Sequence, residues 1–388
     1  MGGRTVVIAA NAAWNLVNFR SGLISALIGA GYDVVGAAPP DASAEAGLRK
    51  LGARFSPVQI DSKGVSPGRD IATLLAFRHL FRAEKPICFL GYTVKPNVYG
   101  SLAARLCGVP AINNISGLGT AFIARTWLTP VVEGLYRLGL ASAHRVFFQN
   151  DDDRKMFVAR GLVSVDRTHV LPGSGIDLAA FAPQPAPARA TSEALTFLLI
   201  ARMVRDKGVV EYAKAARLLK ARHPHWRFRI VGFLDVENRT AIDRATVEAW
   251  VAAGDVLFDG PSPDVRPHIA AADCIVLPSY REGTSRVLLE AAAMARPIVA
   301  TDVPGCREVV DDGVSGFLCA ARDPQGLADA MERIGAAGDA GRARMGAAGR
   351  AKVERGYDER IVIGAYLEAI RAIERSRGNA SAKDEASD

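Results

Sequence analysis

Along most of the chain, short runs of β-branched and apolar residues alternate with longer stretches whose apolar positions recur every three or four residues. The first pattern predicts buried strands and the second predicts helices packed on one face. In the first half, Thr5–Ala10, Asp33–Ala38, Ile87–Leu90, Ala111–Ile115, Arg145–Phe148 and His169–Leu171 read as strands, with helical stretches such as Arg20–Gly29 and Val98–Cys107 between them. The proline-rich stretch 181–187 then interrupts both patterns, because proline lacks the N–H that either ladder needs. Beyond it the alternation restarts. Strands are predicted at Leu195–Ala201, Arg227–Val231, Val256–Asp259, Cys274–Pro278, Pro297–Thr301 and Gly316–Cys319, with helices at Val209–Arg222, Arg239–Ala252 and Ser285–Met294. Such alternation predicts an α/β chain of two doubly wound, Rossmann-like domains, joined by the proline-rich linker and facing across a cleft. Ligands of such sheets bind at the carboxyl ends of the strands. The expected division is 1–182, 183–355, a C-terminal helix within 356–377 and an unstructured tail over 378–388. The helix reads from Tyr357 to Arg375, with Val362, Tyr366, Ala369, Ile370 and Ile373 on one face.

Composition narrows the picture without changing it. The 388 residues are 49% hydrophobic and 23% charged, which suits a globular protein with room for two cores. No stretch approaches the roughly 18 uninterrupted apolar residues of a membrane span, and the start does not read as a secretory signal, so a cytoplasmic protein is expected. Five scattered cysteines without a CxxC pair suggest neither a disulfide framework nor a zinc site, and the six histidines lack ligand spacing. Charge is more informative. Nineteen Lys and Arg oppose twelve Asp and Glu in residues 1–185, whereas the remainder is balanced, so the whole excess of +7 lies in the first half. A basic half suggests an anionic partner: a phosphorylated substrate, an anionic membrane surface or, least of the three, nucleic acid, since no Lys/Arg run carries interleaved aromatics.

Two segments carry candidate chemistry. The first runs from Pro278 to Ala291, leaving an apolar strand and passing through Gly283 into a helix with Ser285 near its N-cap. A helix start offers backbone N–H groups and a positive dipole end to an anion. Glu282 lies just before that start and Glu290 about two turns into the helix, where two carboxylates suit hydroxyls on either side of a bound diphosphate. The same spacing also fits a capped amphipathic helix with two solvated glutamates. The second segment, Ile200–Gly208, follows the first strand after the linker and carries Arg202 and Lys207, one a bidentate cation and the other a point charge. Fixed cations of this kind favour a leaving diphosphate as its charge develops, although a polar turn with solvated charges fits equally.

Together these segments resemble the retaining nucleotide-sugar glycosyltransferases of family 4, which have the GT-B fold. Glu282 and Glu290 match the family's E-x7-E motif, and Arg202 with Lys207 its R-x4-K pair. The resemblance covers nearly the whole chain and is strongest to a bacterial branch that extends polyprenyl-diphosphate-linked saccharides. Branch features include Asn18-Phe19-Arg20, residues 93–101 (Thr-Val-Lys-Pro-Asn-Val-Tyr-Gly-Ser), Ser116-Gly117-Leu118-Gly119, residues 148–152 (Phe-Gln-Asn-Asp-Asp), residues 173–177 (Gly-Ser-Gly-Ile-Asp) and residues 301–307 (Thr-Asp-Val-Pro-Gly-Cys-Arg). The resemblance implies that Arg202 and Lys207 bind the donor diphosphate, aided by the backbone at Gly283, Thr284, Ser285 and Arg286. It implies that Glu282 contacts the transferred sugar and Glu290 the ribose. Glu282, Arg202 and Lys207 are then the expected catalytic residues. No metal and no cofactor is implied, nor any protein nucleophile; the partners implied are a nucleotide sugar, most readily a UDP-sugar, and a polyprenyl-diphosphate-linked saccharide at the inner face of the cytoplasmic membrane.

Two departures stand out. The N-domain histidine common in relatives is absent from Ile112–Ser116, leaving Asn114 or a backbone group in its place. Ser285 stands where proline is frequent. Arg20 and Lys95 are candidates for the acceptor's diphosphate or are plain surface charge. Asp151-Asp152-Asp153 imitates a DxD metal motif but directly precedes a helical pattern, where acids complement the dipole. The stretch Ala121–Leu140 fits both a core helix and an interfacial helix seated in a membrane. Alternatives to a transferase are a GT-B epimerase or phosphorylase and a catalytically silent scaffold of a polysaccharide assembly complex. A nicotinamide enzyme is disfavoured because no GxGxxG follows the first strand.

Overall fold

The computed structural model describes residues 4–61, 66–117, 129–185, 194–236 and 238–385. The chain forms two compact units. Residues 1–174 and 359–388 make the first, and residues 175–358 the second.

In the first unit the order is β1 (Thr5–Ala9), α1 (Ala13–Gly29), β2 (Asp33–Ala38), α2 (Ala42–Lys50), β3 (Arg54–Pro57), α3 (Pro67–Glu84) and β4 (Cys88–Tyr92). A π-helical turn (Pro96–Gly100) then leads into α4 (Ser101–Leu106), β5 (Ala111–Ile115), α5 (Thr129–Leu140), β6 (Ala143–Phe148), α6 (Asp151–Ala159) and β7 (Thr168–Val170). The strands form one parallel sheet in the order β3-β2-β1-β4-β5-β6-β7. Its central strands β1, β4 and β5 are buried along their whole length, as parallel strands covered on both faces require. The edge strand β3 is half exposed and reads Arg-Phe-Ser-Pro, with no apolar run, which is why pattern alone passed over it.

The second unit repeats the plan with β8 (Thr196–Ile200), α7 (Val209–Lys220), β9 (Arg227–Val231), α8 (Arg244–Ala252), β10 (Leu257–Gly260), α9 (Arg266–Ala270), β11 (Cys274–Leu277), α10 (Arg286–Ala293), β12 (Ile298–Thr301), β13 (Gly316–Cys319), α11 (Pro324–Ala336) and α12 (Gly338–Gly356). Its parallel sheet is ordered β10-β9-β8-β11-β12-β13. In each sheet the order reverses beside the first strand, between β1 and β4 and between β8 and β11. Those two points are where the carboxyl ends of neighbouring strands diverge to leave a crevice.

The chain crosses between the units at Ser174/Gly175 and Asp358/Glu359, not at the proline-rich stretch. Residues 175–182, expected in the first domain, belong to the second unit because Ile176 is fully buried there, with Leu178 and Phe181 packed beside it. The Ile176 N–H also donates to the Tyr357 carbonyl at 2.8 Å. Gln184 and Pro185 are tied to the same unit through the buried Arg296, whose guanidinium donates to both carbonyls at 3.1 and 2.6 Å. Residues 186 and 187 of that stretch lie outside the described residues.

The last helix, α13 (Glu359–Glu385), lays Val362, Tyr366, Ala369, Ile370 and Ile373 into the first unit's core against β1, β2 and β4. Glu374 fastens it there, taking an ion pair from Arg4 at 2.9 Å and a hydrogen bond from the Tyr32 hydroxyl at 2.9 Å. The tail expected after Arg377 is helical as far as Glu385. Among the described residues no helix is long and apolar enough to cross a membrane.

Candidate active site

In the second unit the chain leaves β8 and β11 side by side at the point where the strand order reverses, and both candidate segments begin there. After Ile200 the backbone makes a 3-10 turn at Arg205–Lys207 and enters α7 through Gly208. Gly208 has φ +71°, and a Cβ there would lie 1.9 Å from the Pro278 carbonyl oxygen. Only glycine lets the two loops touch so closely. The contact is sewn by the Tyr280 N–H and the Ser279 hydroxyl, which donate to the Asp206 carbonyl at 2.9 and 3.1 Å. Across this seam the Lys207 Nζ reaches Glu282 Oε1 at 2.5 Å, with both side chains mostly covered.

A third loop, following β12, supports the second. The Glu282 N–H donates to the Pro304 carbonyl at 3.0 Å, the Ser285 N–H donates to the Gly305 carbonyl at 2.9 Å, and Thr301 Oγ1 donates to the Ser279 carbonyl. Gly305 again needs a positive φ, +84°, and its missing Cβ would fall 2.6 Å from the Glu282 backbone. Glu282 is therefore held by backbone from two sides. This partner loop was visible in the sequence as the 301–307 string, but nothing there placed it against Glu282.

The helix α10 begins at Arg286. Ser285 is its N-cap, accepting the Leu288 N–H at 3.4 Å, so serine here takes up a helix-start donor, a bond that proline could not accept. Glu282 lies in the loop before the helix, as expected, and Glu290 is a little over one turn in, not two. Glu290 is buried, at 8% exposure, and burial pushes its carboxyl above the usual range. Arg286 opposes that shift, its Nε donating to Glu290 Oε1 at 3.0 Å. Arg202, just past the carboxyl end of β8, is exposed, and among the described residues its side chain makes no hydrogen bond or ion pair. Lys207 and Glu282 are thus in contact, Glu290 is paired with Arg286, and Arg202 is left open to a ligand.

The first unit places the remaining candidates at the carboxyl side of its sheet and engages all three. Arg20 sits on α1 and is buried, its guanidinium lying 4.2 Å over the Tyr92 ring. Lys95 forms a covered ion pair with Asp70 at 2.6 Å. Asn114, on β5, is 1% exposed; its Nδ2 donates to the Tyr366 hydroxyl at 2.9 Å and its Oδ1 accepts from Gln149 at 3.4 Å. Tyr366 was expected only as core. Its polar tip within the apolar stripe of α13 was the available signal that it meets a buried amide. Part of the first half's positive excess has a structural use as well: Arg82, Lys85 and Arg105 sit at the C-terminal ends of α3 and α4, where cations offset the helix dipoles.

The Asp151–Asp153 run opens α6, with Asn150 as the cap accepting the Asp153 N–H at 2.8 Å, and Asp151 pairs with Arg154 and Lys155. Among the described residues no cluster of three or more His, Cys, Asp or Glu side chains could hold a metal ion. Of Ala121–Leu140, residues 121–128 lie outside the described residues; α5 buries Tyr136 and Leu140 and exposes Val131 and Leu138.

Two parallel, doubly wound units, each with its crevice at the reversal of strand order, define a GT-B protein, and the second carries a cationic, carboxylate-bearing helix start in that crevice. Residues 18–174 match the family described as "Glycosyl transferase 4-like domain", and residues 194–336 that described as "Glycosyl transferases group 1". The chain belongs to this glycosyltransferase family and is a hexosyltransferase. It is similar to an N,N'-diacetylbacillosaminyl-diphospho-undecaprenol alpha-1,3-N-acetylgalactosaminyltransferase of Campylobacter jejuni, 26% identical over 375 residues and covering 92% of this chain and 96% of that one. A UDP-Gal:alpha-D-GlcNAc-diphosphoundecaprenol alpha-1,3-galactosyltransferase of Escherichia coli is 24% identical over 282 residues, covering 70% and 72%. In fold it is similar to the Anabaena protein Alr3699/HepE, whose crystal structure is in complex with UDP and glucose: TM-score 0.75 and 16% identity, over 94% of this chain and 99% of that one.

Proposed function

We propose that the protein moves a hexose or N-acetylhexosamine from a UDP-sugar to a polyprenyl-diphosphate-linked saccharide at the inner face of the cytoplasmic membrane, with retention of configuration and without a metal ion. The observation that carries this reading is the meeting of Lys207 and Glu282 just before the start of α10. The relatives named for undecaprenyl-diphosphate-linked acceptors and for a UDP-sugar donor support the choice of substrates, and because they are transferases the epimerase, phosphorylase and scaffold readings are not favoured.

In this reading the donor diphosphate lies against the N-terminal end of α10. Lys207 has three N–H donors, enough to keep Glu282 and grip a phosphate oxygen together. Arg202 adds a planar fork. Glu282 accepts hydroxyls of the transferred sugar, and Glu290 those of the ribose. As the bond from the anomeric carbon to the β-phosphate oxygen breaks, its electron pair passes to that oxygen, where Arg202, Lys207 and the helix dipole stabilise the charge. The acceptor hydroxyl attacks from the face that the diphosphate leaves and gives its proton to the departing phosphate oxygen, so the configuration is kept. In the first unit Lys95 meets the acceptor's diphosphate by sharing its ammonium with Asp70, Arg20 adds charge from beneath, and Asn114 shapes the floor.

A thermal-shift series with UDP, GDP, ADP and NAD tests the donor half. A ligand at about 100 times its dissociation constant adds roughly 2.7 kcal/mol. The expected result is a shift with UDP alone, reduced in Glu290→Ala. A shift with NAD, or with no nucleotide, contradicts the reading.

A further inference from the structure

Glu290 presents a problem that its own position creates. It stands in a stretch of α10, Leu288 to Ala293, whose other residues are all fully buried, it is itself buried, and a carboxylate in such a setting tends to take up a proton and lose its charge. The strands flanking α10 offer no relief, because β11 reads Cys-Ile-Val-Leu and β12 Ile-Val-Ala-Thr. From α12, packed along another side of α10, Arg350 turns its guanidinium to the Ala293 carbonyl and to Glu354. Asp264, in the loop before α9, acts on Glu290 in the same direction as burial. Among the described residues the one cation bonded to Glu290 is Arg286, a single helical turn earlier on the same face. It takes Oε1 only, and Oε2 carries no hydrogen bond among the described residues.

We propose that Arg286 is a positioning residue for the nucleoside diphosphate: by holding Glu290 Oε1 it fixes the rotamer that turns Oε2 toward the ligand's ribose hydroxyls, and it keeps that oxygen an acceptor. The inference rests on the reading of Glu290 as the ribose contact. It adds that a side chain which need not touch the ligand sets the pH range over which the ligand binds. With Arg286 in place, Glu290 accepts two hydroxyl protons from a diol; without it, a protonated carboxyl presents a donor where the diol needs an acceptor.

The test is calorimetric titration, between pH 5.5 and 8.5, of the methyl ester of UDP, which is esterified at its β-phosphate as a UDP-sugar is and so holds no phosphate proton in this range, on the wild type, Arg286→Gln and Arg286→Lys, with a thermal unfolding curve for each. Below the carboxyl's own pKa, affinity should fall about tenfold per pH unit, the signature of one competing proton. In Arg286→Gln the onset of that fall should move up by about one pH unit or more, and in Arg286→Lys it should return toward the wild-type position. Glu290→Gln, which cannot titrate, should bind more weakly but show no acid limb. If Arg286→Gln fails to fold, Arg286→Met, which keeps the apolar stem and removes the cation, takes its place in the comparison. An affinity reduced by one factor at every pH in Arg286→Gln, or an acid limb that survives in Glu290→Gln, overturns the inference alone. A wild type that binds neither the ester nor UDP overturns the donor-site reading with it.

Discussion

Replacing Gly208 with alanine adds one methyl group at the seam on which the donor site depends. The added Cβ would lie 1.9 Å from the Pro278 oxygen, so the carbonyl must retreat by about 1 Å to reach even the tightest tolerated contact. Two costs follow. A left-handed φ costs alanine roughly 1–2 kcal/mol, and forcing a packed contact apart costs about 1–3 kcal/mol more, giving some 2–5 kcal/mol in all. For a domain of this size each kcal/mol lowers the midpoint by roughly 2–4 °C, so the second unit should lose on the order of 10 °C in a calorimetric scan. The retreat also carries Ser279 and Tyr280 away from Asp206 and stretches the pair between Lys207 and Glu282. A displacement of that size in a binding constellation costs about 100-fold, so UDP affinity should fall by one to two orders of magnitude. Gly254 provides the control. It has φ +73°, but a Cβ there meets nothing within 4 Å, so Gly254→Ala should show the strain term and unchanged UDP binding. If Gly208→Ala melts and binds like Gly254→Ala, the two loops do not depend on their contact and the account of the site is wrong.

Lys207→Ala and Arg202→Ala should each lower kcat by about 100- to 1,000-fold in steady-state assays, the usual effect of removing one stabiliser of developing charge; a tenfold or smaller loss in both would deny them that role. Transfer should survive dialysis against excess EDTA, and activity restored only by an added divalent cation would contradict the metal-free proposal. Tyr366→Phe removes the hydroxyl that accepts from Asn114 Nδ2 and leaves a buried donor unsatisfied, a cost of about 1–3 kcal/mol. Calorimetry should show this loss in the first unit's transition while UDP affinity stays at the wild-type value, since the change lies wholly within that unit.

Many strands were legible in the sequence as short clusters of apolar and β-branched residues between turn signals, and β2, β5, β9 and β13 cover the residues expected of them. Elements whose residues serve something other than an apolar face were harder to read. Glycines punctuate α12 and weaken its helical pattern, yet Gly346 is there because a Cβ would fall 2.0 Å from the Ala295 carbonyl oxygen. The proline-rich stretch marks the end of regular structure, whereas the crossing between units depends on which core takes Ile176, a tertiary fact. The same division holds for the site. The types of residue and their order along the chain identified Arg202, Lys207, Glu282 and Glu290 as candidates, but the contact between Lys207 and Glu282 joins positions 75 apart and depends on Gly208 and Gly305. The burial of Lys95 with Asp70 had no local signal, because the partner comes from a different element, and that of Asn114 with Tyr366 was hinted at by the tyrosine's polar tip in the apolar stripe of α13 alone.

The most direct test of the central claim supplies the purified protein with radiolabelled UDP-glucose, UDP-galactose, UDP-N-acetylglucosamine or UDP-N-acetylgalactosamine, together with a polyprenyl-diphosphate-linked N-acetylhexosamine in detergent, and follows the label into the organic phase. The account predicts that at least one donor labels the lipid, that the new linkage keeps the donor's anomeric configuration by NMR, and that Glu282→Ala, still folded, does not carry out the transfer. Label released only as free sugar, an inverted linkage, or an undiminished Glu282→Ala would contradict it.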